Sequence, residues 1–482
     1  MEDLLELALR AGQRDHVLAV EVRIVPSSVS ESLAVRNGRA SSLTYREAAG
    51  LGVRVRTDRS WGFATASSLD RATVRATAGA AARAARAARS RARRPLTVTE
   101  ERAVSNGRYR TATRVDPFSV PREEKLRMLR EAESALHVGA EIKAGEASYH
   151  AWREVKHFAS SEGRSYTSTI VHVGAGIQAT AIAGGEVQRR SAPTSFGGDF
   201  RQAGFEFIRE LDLVGRAPSV GREAIALLTA PTPDPGPTTV VLGSDQLGLQ
   251  VHESVGHATE LDRIFAMEAG YAGTSWVAPE QVGALTYGSP LMEIVADATE
   301  PGGLGTFGFD DEGLRARRVP IVTAGRLVGT LSSRETAARL GLDRSGATCR
   351  AEGFYRMPLI RMTNVDLSPG DRSFPELLDG VHDGIYLETN RSWSIDDKRL
   401  NFQFGTEVGR RIVDGELGPL VRNPLYAGMT PEFWASMDAV GDRSTWHLWG
   451  VPNCGKGQPG QVAHVSHGSP AARFRNVAVR GG

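Results

Sequence analysis

Leu and charge alternate at helical spacing over the first dozen residues, which predicts a short N-terminal helix. The pattern then changes period. Residues 17–25 (VLAVEVRIV) and 31–36 read as strands and lead into Asn37-Gly38, a strong hairpin turn. Residues 41–46, 50–56 and 61–67 continue the meander. Residues 71–94 are rich in Ala and Arg and predict a helix. A second helix is expected over 121–137, with Pro121 at its start and Leu126, Leu129 and Leu136 on one side. Strands follow from about 146 to 190, turning near Glu162-Gly163, and a helix near 205–229 closes this half.

Four prolines in seven residues, Pro231 to Pro237, cannot lie inside a helix or a central strand. They divide the chain into an α+β domain over 1–230, a linker over 231–238 and a second domain over 239–482. The second domain is Gly-rich with many short strand-like runs, so mostly antiparallel, barrel-like sheet is expected. The fold class is α+β, with two domains.

Composition removes some functions. The net charge of +2 over 482 residues gives no whole-chain reason to bind nucleic acid. Arg83, Arg86 and Arg89 form one stripe, but no aromatic or Gly pattern accompanies them; a solvated helix face is the better reading. No apolar run reaches membrane-spanning length, and the acidic start MEDLLE is not a signal peptide, so a cytoplasmic protein is expected. The two cysteines, Cys349 and Cys454, read as free thiols in a reducing compartment.

Candidate chemistry is concentrated in Val251-His252-Glu253-Ser254-Val255-Gly256-His257. The familiar zinc peptidase motif separates its histidines by one helical turn. Here the spacing is i, i+5, which on a regular α-helix sets the imidazoles roughly 140° apart. Either a π-type widening or a helix end at Gly256 would bring them to one metal. Glu253 would then lie beside the metal as a base. A catalytic zinc site needs a third protein ligand and an open position. Candidates are Glu260, Asp262, Cys454, His464 and His467. Cys454 sits in PNCGKGQPG, which reads as an irregular polar loop, with Lys456 placed to favour the thiolate. Cys349 reads as a plain strand residue.

Together these segments resemble the TldD/PmbA family of metallopeptidases, in its catalytic TldD-type form. HESVGHATELD carries the family's His-Glu-x-x-x-His. GFDDEG (308–313) is similar to its acidic turn, RMTNV (361–365) to a core strand, SIDDKRLNFQFGTEVG (394–409) to a further block and NCGKGQPGQ (453–461) to its cysteine segment. The N-terminal match rests on GLGVRV (50–55) and WGFAT (61–65). The resemblance implies one zinc per chain on His252, His257 and Cys454, with Glu253 as general base. It implies short or unfolded peptides as substrates, added as a strand, with leader-peptide removal among the roles. It also implies a dimer, either of identical chains or with a paralogue lacking the metal motif. The donor that holds the oxyanion is left among His464, His467 and Tyr426. Two other functions are compatible with the residues: a non-catalytic subunit holding another protein, such as a gyrase modulator, and a zinc amidohydrolase of non-peptide substrates.

Overall fold

Chain pairing in the computed structural model, which describes residues 1–482, falls into two sets that share no strand pair. The first is an eight-stranded sheet of β1 (Ala19–Arg36), β2 (Arg39–Arg56), β3 (Trp61–Ala66), β4 (Gly107–Arg110), β5 (Ile142–Ser160), β6 (Ser165–Ala183), β7 (Glu186–Ala192) and β8 (Asp199–Arg201). Its helices are α1 (Glu2–Gly12), α2 (Arg71–Arg89), α3 (Arg122–Ala135), α4 (Phe205–Glu210) and α5 (Leu213–Leu227).

Where separate strands were expected over 17–25 and 31–36, the chain runs as one strand with a bulge between Val25 and Ser28. Pro26 cannot donate to a ladder, and the bulge absorbs it. The extra residue also changes which positions face inward. Val20, Val22 and Ile24 join one core with α1 and α2, whereas Leu33 and Val35 join another with α3 to α5. Residues 41–46 and 50–56 likewise form the single strand β2. At Asn37-Gly38 both residues have positive φ, as a tight hairpin requires.

Asp70 caps α2 through Ala72 N and Thr73 N. The helix buries Val74, Ala78, Ala81, Ala82 and Ala85 and leaves Arg83 and Arg86 exposed. The helix expected over 205–229 is instead two. Asp212, in the left-handed conformation, breaks the run and caps α5 through Gly215 N.

The second set comprises β9 (Gly236–Leu242), α6 (Ser244–Val251), α7 (Leu261–Ile264), β10 (Ile294–Asp297), β11 (Arg318–Thr323), β12 (Arg326–Leu327), α8 (Arg334–Leu340), β13 (Cys349–Arg350), β14 (Leu359–Ile360), β15 (Val365–Leu367), β16 (Asp383–Ile395), β17 (Asn401–Val413), β18 (Glu416–Arg422), β19 (Pro424–Met429), β20 (Met437–Val440), β21 (His447–Lys456), β22 (Gln461–Ser469) and β23 (Ala472–Gly481). Strands β9, β23, β19, β17 and β16 close on themselves as a five-stranded barrel, in which β16 and β9 are the parallel pair. The proline-rich segment is shorter than expected, because β9 already begins at Gly236. Pro237 is tolerated there: β16 pairs with β9 only from Thr239 onward, so no donor is missed on that side.

The acidic turn at 310–312 ties the two sets together. Lys156 Nζ donates to Asp311 Oδ1 at 3.0 Å, Arg23 Nη1 lies 3.9 Å from Asp311 Oδ2, and Arg54 Nη2 donates to Glu312 Oε1 at 3.2 Å. No helix is long and apolar enough to cross a membrane.

Candidate metal centre

β9 feeds directly into α6, whose Leu247 and Val251 are buried in the largest core together with Val255 just beyond it. Beyond Val251 the helix widens into a π turn over His252–Gly256. The N–H of His257 donates to His252 O, so the five-residue spacing closes one wide turn. Of the two routes open to the sequence, the chain takes the π widening. Carbonyls loosened by it find other donors. Tyr287 Oη donates to Ser254 O at 2.6 Å and Thr259 Oγ1 to Val255 O at 2.9 Å. Gly256 is closely packed: a Cβ there would run into Met362 Sδ, so that buried thioether would have to move.

The turn sets the His252 and His257 rings 4.8 Å apart, and the donor atoms of His252, His257 and Cys454 lie within 4.8 Å of one another. All three residues are buried. Cys454 Sγ is 3.6 Å from His257 Nε2. Cys454 does not lie on an exposed polar loop as expected. It is on β21, immediately after a bulge that leaves Pro452 and Asn453 unpaired, and it is 4% exposed. Burial alone would push its thiol up, but His257 and Arg361 outweigh it and hold the thiol below its ordinary value. Arg361 also donates to the Cys454 carbonyl.

Lys456 does not serve the thiolate. Its ammonium is bound by Asp262 at 2.7 and 2.8 Å, Ile360 O at 2.9 Å and Glu260 at 3.2 Å. Asp262 is thereby committed to a cation. Glu260 stands behind His257, accepting from its Nδ1 at 3.0 Å. Burial would raise the Glu260 carboxyl, yet Lys456, His257 and Arg263 hold it well below the usual range.

These contacts decide the tautomers. His467 Nδ1 donates to Val365 O at 2.8 Å, and burial keeps its ring neutral. Its Nε2 is therefore an acceptor, so His252 Nδ1, 2.7 Å away, carries a proton and donates. His257 Nδ1 likewise donates to Glu260. Both imidazoles are left with an Nε2 lone pair, the arrangement metal-ligating histidines adopt. Two nitrogens and one sulfur, with no fourth protein donor, fit a zinc-type ion that keeps one position open.

Three residues considered for the oxyanion are placed elsewhere. His467 is fully buried behind His252, with both ring nitrogens engaged. Cys454 pairs with Ala463 across the hairpin, so the next residue, His464, faces the other way, 2.7 Å from His172 Nδ1 and edge-on to Trp152. Tyr426 is fully buried, its hydroxyl held between Gln246 Nε2 at 2.9 Å and Gln250 Oε1 at 3.0 Å. A residue the sequence reading passed over is bonded to Glu253: Arg399 Nη1 donates to Glu253 Oε2 at 2.7 Å. It is 146 positions away, inside the 394–409 block that carries the family resemblance, where residue type and spacing alone do not single it out.

Family models for the PmbA/TldA metallopeptidases match three stretches: domain 1 over 20–89, the central domain over 115–230 and the C-terminal domain over 235–481. The chain belongs to this family. The C-terminal match contains the whole His252, His257 and Cys454 cluster. A metalloprotease of Methanothermobacter thermautotrophicus is 30% identical over 97% of this chain and 96% of its own. A zinc metalloprotease TldD homolog of Saccharolobus solfataricus is 26% identical over 54% of this chain and 55% of its own. The crystal structure of TldE from Thermococcus kodakarensis shares the family fold, with a TM-score of 0.74 at 16% identity over all of both chains.

Proposed function

We propose that this family member is a zinc-dependent peptidase of short or unfolded peptides. The observation that carries this reading is the buried His252, His257 and Cys454 cluster with Glu253 on the same π turn. Zinc held there supplies a Lewis acid that polarises the scissile carbonyl and acidifies water. The Nδ1 partners, His467 and Glu260, keep both imidazoles turned toward the ion. Glu253 takes the proton of the attacking water and returns it to the departing amine. Peptides bind by strand addition, through backbone hydrogen bonds that read little sequence. Leader-peptide removal is a role that such selectivity suits. The chain works as a dimer in the cytoplasm, where its two free cysteines stay reduced.

The test is Glu253→Gln beside Cys454→Ser. Elemental analysis should find about one zinc per chain in the wild type and in Glu253→Gln, and little in Cys454→Ser. Turnover of a quenched-fluorescent peptide mixture should disappear in both variants. Retained turnover in Glu253→Gln would refute the assigned base. Zinc unchanged in Cys454→Ser would remove the third ligand.

A further inference from the structure

The guanidinium of Arg399 has donors to spare. Only Nη1 is bonded, to Glu253, and Nε is buried without a partner. The side chain is 16% exposed, so these donors are largely shielded from bulk water. Arg399 sits in the turn between β16 and β17 at φ 63°, a left-handed conformation that glycine adopts cheaply and arginine does not.

The turn is built to be rigid. Asp396 accepts from Leu400 N at 2.8 Å and Asn401 N at 3.2 Å. Segments distant in the chain hold its carbonyls. Thr274 N donates to Asp397 O at 3.0 Å, Trp276 N to Lys398 O at 2.8 Å and Thr430 Oγ1 to Arg399 O at 2.7 Å. A strained residue pinned at both faces of a turn, with its cation aimed at the proposed base, is an arrangement that positions charge.

We propose that Arg399 is the electrophilic residue of the peptidase, donating to the scissile carbonyl oxygen as negative charge develops on it. This rests on the peptidase reading above. The water oxygen bonds to the carbonyl carbon, the carbonyl π pair moves to oxygen, and the water proton passes to Glu253. The oxyanion meets the free N–H groups of Arg399. Its lone pair then re-forms the carbonyl, the C–N bond breaks with its pair on nitrogen, and that nitrogen takes the proton from Glu253. One guanidinium thus serves two anions, the carboxylate before attack and the oxyanion after it. His464, His467 and Tyr426 are all engaged elsewhere, whereas Arg399 touches Glu253 with donors to spare.

The test uses zinc-loaded wild type, Arg399→Ala and Arg399→Gln, with an N-phosphoryl dipeptide as probe of tetrahedral anion binding by calorimetry. Arg399→Gln keeps a donor for Glu253 but no charge, and carries the test if Arg399→Ala does not fold. At equal zinc content, both variants should bind the probe roughly 10²- to 10³-fold more weakly than wild type. On the peptide mixture, kcat should fall by a similar factor with KM little changed, and added guanidinium should partly restore Arg399→Ala. Equal probe affinity in wild type and variants would overturn the proposal, as would a zinc-loaded wild type that does not bind the probe. Turnover lost in Glu253→Gln together with unchanged probe affinity in Arg399→Gln would leave the peptidase standing and remove this residue from it. A wild type that binds the probe through Arg399 but cleaves no peptide would uphold the anion contact and sink the peptidase reading.

Discussion

Around the paired imidazoles, two neighbours orient the rings through hydrogen bonds. His467 orients His252 and Glu260 orients His257, each at Nδ1. Replacing His467 by Phe keeps the volume and removes the acceptor. Metal affinity should fall roughly 10- to 100-fold, read by competition with a chelator. Glu260 has a second task, because buried Arg263 depends on its charge and Lys456 lies 3.2 Å from it. Glu260→Gln takes away the one carboxylate of buried Arg263, while Lys456 keeps Asp262, and should cost about 3–5 kcal/mol in urea unfolding. Neither residue is identifiable as a metal-site partner from spacing. Glu260 follows the motif closely enough to pass for a ligand, and His467 is 215 positions from its partner.

The element that matters most is the π turn. A spacing of five between histidines is unreadable on a regular helix, so the sequence poses the alternatives and packing chooses between them. Ser254 is bonded on both sides, through Trp434 Nε1 at 2.9 Å and Gln250 O at 2.6 Å, which holds the widened turn in place. Gly256→Ala would force its Cβ into Met362. We expect a loss of about 1–3 kcal/mol, seen as a lower Tm, with zinc content falling alongside. The same reasoning explains the mistaken strand breaks. Pro26 marks an interruption in the pattern, but a bulge lets the strand continue, and no local signal separates a bulge from a turn.

At the scale of the molecule, the acidic turn docks the barrel-bearing half onto the N-terminal sheet. Burial would raise the Asp311 carboxyl, but Lys156 and Arg23 lower it to about 2. A carboxyl lowered in the folded state stabilises above its ordinary value, near 3.8, and loses that contribution as pH falls through about 2. Asp311→Asn should therefore destabilise by about 2–3 kcal/mol at neutral pH. The gap to wild type in urea unfolding should close between about pH 4 and pH 2. A gap independent of pH would mean that the carboxylate's charge is not what joins the halves.

Period, turn residues and motif spacing are local properties, and local properties are what a chain displays openly. Alternation exposed the N-terminal meander, the Ala stripe exposed α2, and His252, Glu253 and His257 stood out within six residues. The cysteine entered through its own Gly-rich segment and the family likeness. What the chain could not display is which distant groups meet. Closure of the barrel at β9 and β16, the burial of Cys454, the diversion of Lys456 to Asp262 and the contact of Arg399 with Glu253 all join segments more than a hundred positions apart. Such contacts arise from summed burial over whole elements, so a charged side chain's partner is settled only when the surfaces around it have packed. That is why the proposed ligands were legible one by one, while the groups around them had to await the fold.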